Sequence, residues 1–217
     1  THTHTHTHTH THTRACARVN THPYTHTHKH TRKHVCPQSV RARGISIETI
    51  PRGGETTYHG PGQLVAYPIL ALRGLGLGAR AYVEGLEDAM VAVAGAYGVH
   101  ARGRVPGRTG VWVGDRKLGA VGVRISRGAT SHGLALNVDT DLAAFAAIVP
   151  CGAPDRAATS LAAEVRAAAP LGLAAPAALM AEALARELRC GGCESVGSLS
   201  ALSPLLAEFG THGPGPP

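Results

Sequence analysis

Three strand-like runs, at residues 110–113, 117–125 and 133–138, follow directly on a segment of helical period, and this succession constrains the fold most. Gly114-Asp115-Arg116 joins the first two runs as a compact turn, which suits an antiparallel hairpin. A parallel pair would need a crossover of a dozen or more residues. The link at 126–131 is longer and polar. Upstream, Tyr82, Val83, Leu86, Met90, Val93 and Tyr97 recur at helical spacing over 79–98, with Gly98 at the expected C-terminal cap. Ile45 and Ile47 alternate as in a half-buried strand, and 64–70 reads as a short buried one. Short helices are expected at 142–149 and 160–169, and an amphipathic helix with proline near its start at 176–189. Strands and helices in this order predict an α/β domain of the α+β type, with a mixed, mainly antiparallel sheet and flanking helices.

Charge is distributed unevenly. Residues 1–35 carry five of the 21 basic side chains and none of the 14 acidic ones. That leaves 16 basic against 14 acidic over 36–217, so the net charge of +7 belongs mainly to the leader and no basic stripe for nucleic acid emerges in the remainder. No apolar run approaches the roughly 20 residues that span a bilayer, so neither nucleic acid nor membrane is expected as a partner. Five cysteines at irregular spacing do not form a secreted disulfide framework, and a reducing compartment keeps a reactive thiol available.

Residues 1–13 alternate Thr and His strictly. In extended form every histidine of the repeat would share one face and could bind a transition metal. The alternative is a low-complexity tract with incidental metal affinity. We expect a disordered leader over 1–35, a catalytic domain over 40–209 and a disordered Gly/Pro-rich tail over 210–217.

Two residues stand out as chemistry carriers. Cys151 lies in Ile148-Val149-Pro150-Cys151-Gly152, where proline stiffens the approach and glycine permits close access by a substrate. A thiolate there is exposed for attack; equally, a lone cysteine is often a small buried hydrophobe. Lys117 is the single lysine among 15 arginines over 36–217. Arginine stays protonated, whereas a partly desolvated lysine exchanges a proton and, beside a thiol, favours thiolate. The Gly/Pro-rich loop 52–63 exposes backbone amides but lacks a P-loop ending or a dinucleotide fingerprint. His59 within it is a rival general base or a structural histidine. Cys190 and Cys193 have C-x-x-C spacing without a second pair. Ser131 and His132, being adjacent on a strand, point to opposite faces. Asn137 and Asp139 read as polar groups at a sheet end.

RGGETTYHGPGQLVAYPIL (52–70), TGVWVGDRKLGAVGVRISRG (109–128), SHGLALNVDTDL (131–142), IVPCG (148–152) and TSL (159–161) together resemble the lipoyl(octanoyl) transferase family, in its order and spacing. The resemblance implies the α/β fold shared with biotin and lipoate protein ligases. It also implies a two-step transfer of an octanoyl group from octanoyl-acyl carrier protein, through a thioester on Cys151, to a lysine of a lipoyl domain. Acceptors would be the lipoyl domains of 2-oxoacid dehydrogenases and the glycine cleavage H protein. Lys117 matches the lysine that lowers the pKa of that cysteine and shuttles protons. Arg52, Gly53, Gly54, Glu55, Thr56, Thr57, Tyr58 and His59 match the first substrate-binding stretch, Ala120, Val121 and Gly122 the second, and Gly133, Leu134 and Ala135 the third. No metal, nucleotide or organic cofactor is implied. Leu64, Val121, Leu134 and Leu136 are expected to wall an apolar slot for the acyl chain. The family carries a strand-helix-strand region before the Arg-Gly-Gly loop. Here the Thr-His tract stands in its place and only about 40–50 is similar, so a lost or replaced N-terminal part and unpaired edge strands are expected. The resulting alternative is an inactive homologue that only binds a carrier protein or lipoyl domain. A bacterial cytoplasm is the expected location, with a mitochondrion as the alternative.

Overall fold

The computed structural model describes residues 16–20, 25–27, 37–49, 57–147 and 157–190. In chain order its elements are β1 (Cys16–Asn20), β2 (Thr25–Thr27), α1 (Pro37–Ala42), β3 (Ile47–Thr49), β4 (Thr57–Tyr58), β5 (Gln63–Ile69), α2 (Ala79–Ala96), β6 (Val111–Val113), β7 (Arg116–Ser126) and β8 (Ala129–Asn137). A 3-10 helix (Leu142–Ala147), α3 (Leu161–Val165) and α4 (Ala174–Glu187) complete them. The architecture is the expected α+β one. A five-stranded sheet runs β1-β5-β8-β7-β6 with every neighbour antiparallel. A smaller sheet runs β3-β2-β4, with β2 parallel to β3 and antiparallel to β4.

Helix α2 forms because Tyr82, Leu86, Met90 and Val93 recur on one stripe, and each is at most 1% exposed. It ends at Gly98, where Gly98 N–H donates to Gly95 O at 2.9 Å and Val99 N–H to Ala94 O at 3.0 Å, the paired bonds of a Schellman cap. The stripe lies on one face of the large sheet: a Cβ placed on Gly119 would come within 2.5 Å of Met90 Sδ. Gly119 pairs with Leu136, which pairs with Leu64, and Val121 pairs with Leu134, which pairs with Ala66. Directly paired residues share a face, so these side chains and α2 form one core. Burying a side chain such as Leu86 contributes about 2 kcal/mol. Helix α4 adds Met180, Ala183 and Leu184 to that core, and Leu188, just past its end, packs on Gly85 of α2.

Pro68 lies within β5 but has no N–H to give, and the ladder to β8 stops at Ala66. Its carbonyl accepts from Thr130 Oγ1 at 2.8 Å and from the Tyr82 hydroxyl at 3.2 Å, while Leu70 N–H donates to Thr130 Oγ1 at 2.8 Å. Side chains thus replace part of the missing ladder.

Several expectations are corrected. The link at 126–131 is not a long loop. β7 and β8 extend into it and meet at Arg127-Gly128, with φ of 51° and 86°, as the right-handed strand twist favours in a two-residue turn. The expected disordered leader does not hold at Cys16–Asn20 and Thr25–Thr27. These segments pair with β5, β3 and β4 through backbone bonds that their composition does not advertise. β5 is therefore covered on that side rather than left as an open edge. The Thr-His repeat at 1–13 and the tail at 210–217 lie outside the described residues.

Candidate active site

The loop into β5 is shaped by Gly60-Pro61-Gly62-Gln63. Pro61 fits the second position of a turn, Gly62 takes φ of 76° at the third, and Gln63 N–H donates to Gly60 O at 3.2 Å. A side chain at Gly62 would also strike Asp139 O, which its Cβ would approach to 2.1 Å. The carbonyl of Gly62 accepts from the N–H groups of Val138 and Asp139, at 3.2 and 2.8 Å. The loop is thereby tied to the end of β8.

This turn delivers Gln63 into a buried polar chain. Its Nε2 donates to Tyr58 O at 3.1 Å and to Asn137 Oδ1 at 2.8 Å. Both amide hydrogens are then engaged, so Oε1 is the acceptor that meets His59 Nδ1 at 2.7 Å. His59 Nδ1 therefore carries the proton in the neutral ring, and Nε2 carries the lone pair. Asn137 Nδ2 continues the chain to Thr159 O at 2.8 Å. His59, Gln63, Asn137 and Thr159 are all at most 9% exposed. Asn137 is thus not merely a polar sheet end, as the sequence suggests, but the link between β5 and the segment at 157–160. Tyr58 packs edge-on against Phe145 at 5.4 Å. Burial raises its hydroxyl pKa, reinforced by Asp141 and opposed by Arg43.

Lys117 stands on β7 at the other side of β8. Its N–H donates to Ala157 O at 2.8 Å and its carbonyl accepts from Thr159 N–H at 2.9 Å, so the chain downstream of Cys151 is bridged to it. Lys117 Nζ lies 5.2 Å from the Trp112 ring centroid, within cation–π range, and the Arg108 guanidinium lies 5.5 Å from the same ring. Gly110 abuts the lysine stem: a Cβ there would lie 2.9 Å from Lys117 Cε.

The second and third stretches named from the sequence are direct neighbours, with Ala120 opposite Ala135, Val121 opposite Leu134, and Gly122 opposite Gly133. Alternation splits them. Ala120, Gly122, Gly133 and Ala135 face away from α2, on the side of Gln63 and Asn137. Val121 and Leu134, with Leu64 and Leu136, turn into the α2 core and are at most 9% exposed. The expected acyl-slot walls are therefore corrected: their side chains fill the helix-facing core, and the opposite face is the one with small residues. Of the first stretch, Thr57, Tyr58 and His59 are placed at the entry to β5. Arg52, Gly53, Gly54, Glu55 and Thr56 lie outside the described residues, as does Cys151. Among the described residues, no group of three or more His, Cys, Asp or Glu side chains is arranged to hold a metal ion. No described helix is long and apolar enough to cross a membrane.

Sequence reasoning missed Gln63, Asn137 and Thr159 as a set. The signal available was weak: an asparagine ending an apolar strand, where such residues are disfavoured.

The family model described as the lipoyl protein ligase A/B catalytic domain matches residues 6–185. A mitochondrial octanoyltransferase of Arabidopsis thaliana is 57% identical over 118 residues, 54% of this chain and 50% of that protein. The octanoyltransferase of Bacteroides fragilis is 49% identical over 156 residues, 70% of this chain and 67% of that protein. The chain thus spans about half to two thirds of the length of these relatives. Among solved structures, lipoate-protein ligase A bound with ATP aligns with a TM-score of 0.70 at 14% identity, covering 90% of this chain and 81% of that one. A putative lipoate protein ligase from T. acidophilum gives 0.68 at 16% identity, with the same coverage. These likenesses show a shared fold. With the family model spanning most of its length, the chain belongs to the lipoyl protein ligase A/B catalytic-domain family.

Proposed function

We propose that this chain transfers an octanoyl group from octanoyl-acyl carrier protein to a lysine of a lipoyl domain, with Cys151 as the acyl-carrying nucleophile and Lys117 as proton acceptor and donor. The observation that carries the reading is the backbone bridge between Lys117 and 157–159, since that segment follows Cys151 by only six residues. The names of the relatives, octanoyltransferases at 49–57% identity, support the acyl group. The 2-oxoacid dehydrogenase lipoyl domains and the glycine cleavage H protein are the proposed acceptors. The setting is one where carrier protein and lipoyl domains meet, a bacterial cytoplasm or a mitochondrial matrix.

In the first step the Cys151 thiol gives its proton to the Lys117 amine, and the thiolate attacks the thioester carbonyl. The carrier thiolate leaves and takes the proton back from the Lys117 ammonium. In the second step the acceptor lysine, as a neutral amine, attacks the Cys151 thioester. Its proton passes to Lys117 as the amide bond forms and the carbon–sulfur bond breaks, and the departing thiolate is then reprotonated. One proton acceptor serves both halves. The face carrying Ala120, Gly122, Gly133 and Ala135 supports the chain, and His59, Thr57 and Tyr58 border it with Arg52–His59 as the first binding stretch.

Incubation with octanoyl-carrier protein followed by intact mass spectrometry tests this reading. The expected result is an octanoyl adduct that is absent in Cys151→Ser, forms about a hundredfold more slowly in Lys117→Arg, and moves to a lipoyl domain on its addition. Folded protein that forms no adduct would overturn the reading in favour of a homologue that only binds. Release to water without transfer would indicate a hydrolase.

A further inference from the structure

Glu87 is a buried carboxylate that the proposed transfer does not use. It is 3% exposed and reaches from α2 towards the stretch 104–110. Oε1 accepts from Gly110 N–H at 2.6 Å and Oε2 accepts from Arg104 N–H at 2.7 Å. Bonds from amides to an ionised acceptor are roughly twice as strong as neutral ones. One side chain therefore holds both ends of that stretch against the helix. The packing is close, because a Cβ on Gly103 would lie 2.9 Å from Glu87 Cβ.

On its other side Gly110 meets Lys117. Its φ is 114°, and a Cβ would stand 2.4 Å from Gly119 O and 2.9 Å from Lys117 Cε. The Gly110 backbone is thus one wall of the channel that holds the lysine stem. β6 starts at the next residue, and a register shift between Val111 and Trp112 turns the indole towards the lysine, 5.2 Å from Nζ.

We propose that Glu87 is a positioning residue for Lys117, because its carboxylate, by fixing Gly110 and the start of β6, sets where the lysine stem and its indole wall stand. The proposal rests on the role given to Lys117 above, but its test separates the two. Trp112 is the single tryptophan of the chain, so its emission reports on the two side chains set over its ring, Lys117 and Arg108.

The full chain is compared as wild type, Glu87→Gln, Lys117→Ala and the double variant, by single-turnover octanoyl transfer and by Trp112 emission. Glutamine keeps the shape but offers one acceptor and turns an amide group towards a backbone N–H. Glu87→Gln is expected to lower the transfer rate about tenfold, to leave KM for the lipoyl domain unchanged, and to alter Trp112 emission. In the Lys117→Ala background the same substitution should leave the residual rate unchanged and alter the emission less, with only the Arg108 contribution remaining, since residues that act through one another are non-additive. Equal effects in both backgrounds, or emission and rate unchanged in Glu87→Gln alone, would overturn the proposal. Should Glu87→Gln not fold, Glu87→Asp keeps both oxygens one methylene further back, and the same outcomes decide. A wild type that transfers nothing sinks the functional reading, whereas the emission comparison still decides whether Glu87 positions Lys117.

Discussion

Tyr82 carries its hydroxyl into the core beneath β5, where it donates to Pro68 O. Burial, partly offset by Thr130 and reinforced by Cys190, pushes its pKa up to about 12. A group whose folded pKa exceeds its unfolded value of 10.0 contributes stability that is complete below pH 10 and lost as pH rises towards 12. About 2–3 kcal/mol should disappear over that window, on the scale of 1.36 kcal/mol per pKa unit. Denaturant unfolding across the range should show this slope, and Tyr82→Phe should flatten it. Asn137 poses a different problem, since it satisfies Gln63 Nε2 and Thr159 O at once. Asn137→Ala leaves both groups buried without that partner and should cost about 2–5 kcal/mol, read as a fall in Tm. Lys117 was legible in the sequence because one lysine among arginines is conspicuous. The Gln63–Asn137 bond was not, because its ends are 74 residues apart and only the strand register brings them together.

Among elements, α2 was the most legible, since its apolar stripe and Gly98 stop are both local signals. The β7–β8 hairpin was read with strands that were too short. Arg127 sits at φ of 51° before Gly128, a conformation that arginine gives no reason to expect. Left-handed backbone costs an ordinary side chain about 1–2 kcal/mol, which asparagine partly avoids. Arg127→Asn should therefore raise stability by about 0.5–1 kcal/mol in urea unfolding, with octanoyl transfer unchanged. The assignment of Val121 and Leu134 to an acyl slot failed at this scale as well. Alternation separates the two faces of a strand, but which face meets a helix depends on where α2 docks, and no local pattern encodes that.

For the molecule as a whole, composition pointed away from residues 1–35 because Thr, His and Arg build no core. The two strands found there contribute main-chain pairing, to which composition is nearly blind. Deleting residues 1–35 should expose the outer edge of β5 and separate β3 from β4. Size-exclusion chromatography is expected to show aggregation, with loss of the full chain's elution peak even where the helices persist. The fold class and the family, by contrast, were legible from motif order, because those motifs span the turns that set the sheet.

The bridge from Lys117 to Ala157 and Thr159 acts as a ruler that counts residues and ignores their identity. Both bonds are made by main chain, so serine at Ala157 or Ala158 should be silent. Inserting a single residue between Cys151 and Ala157 would change the tether length by about 3.5 Å and should abolish transfer. Natural drift in this segment is thus expected to spare length and alter letters.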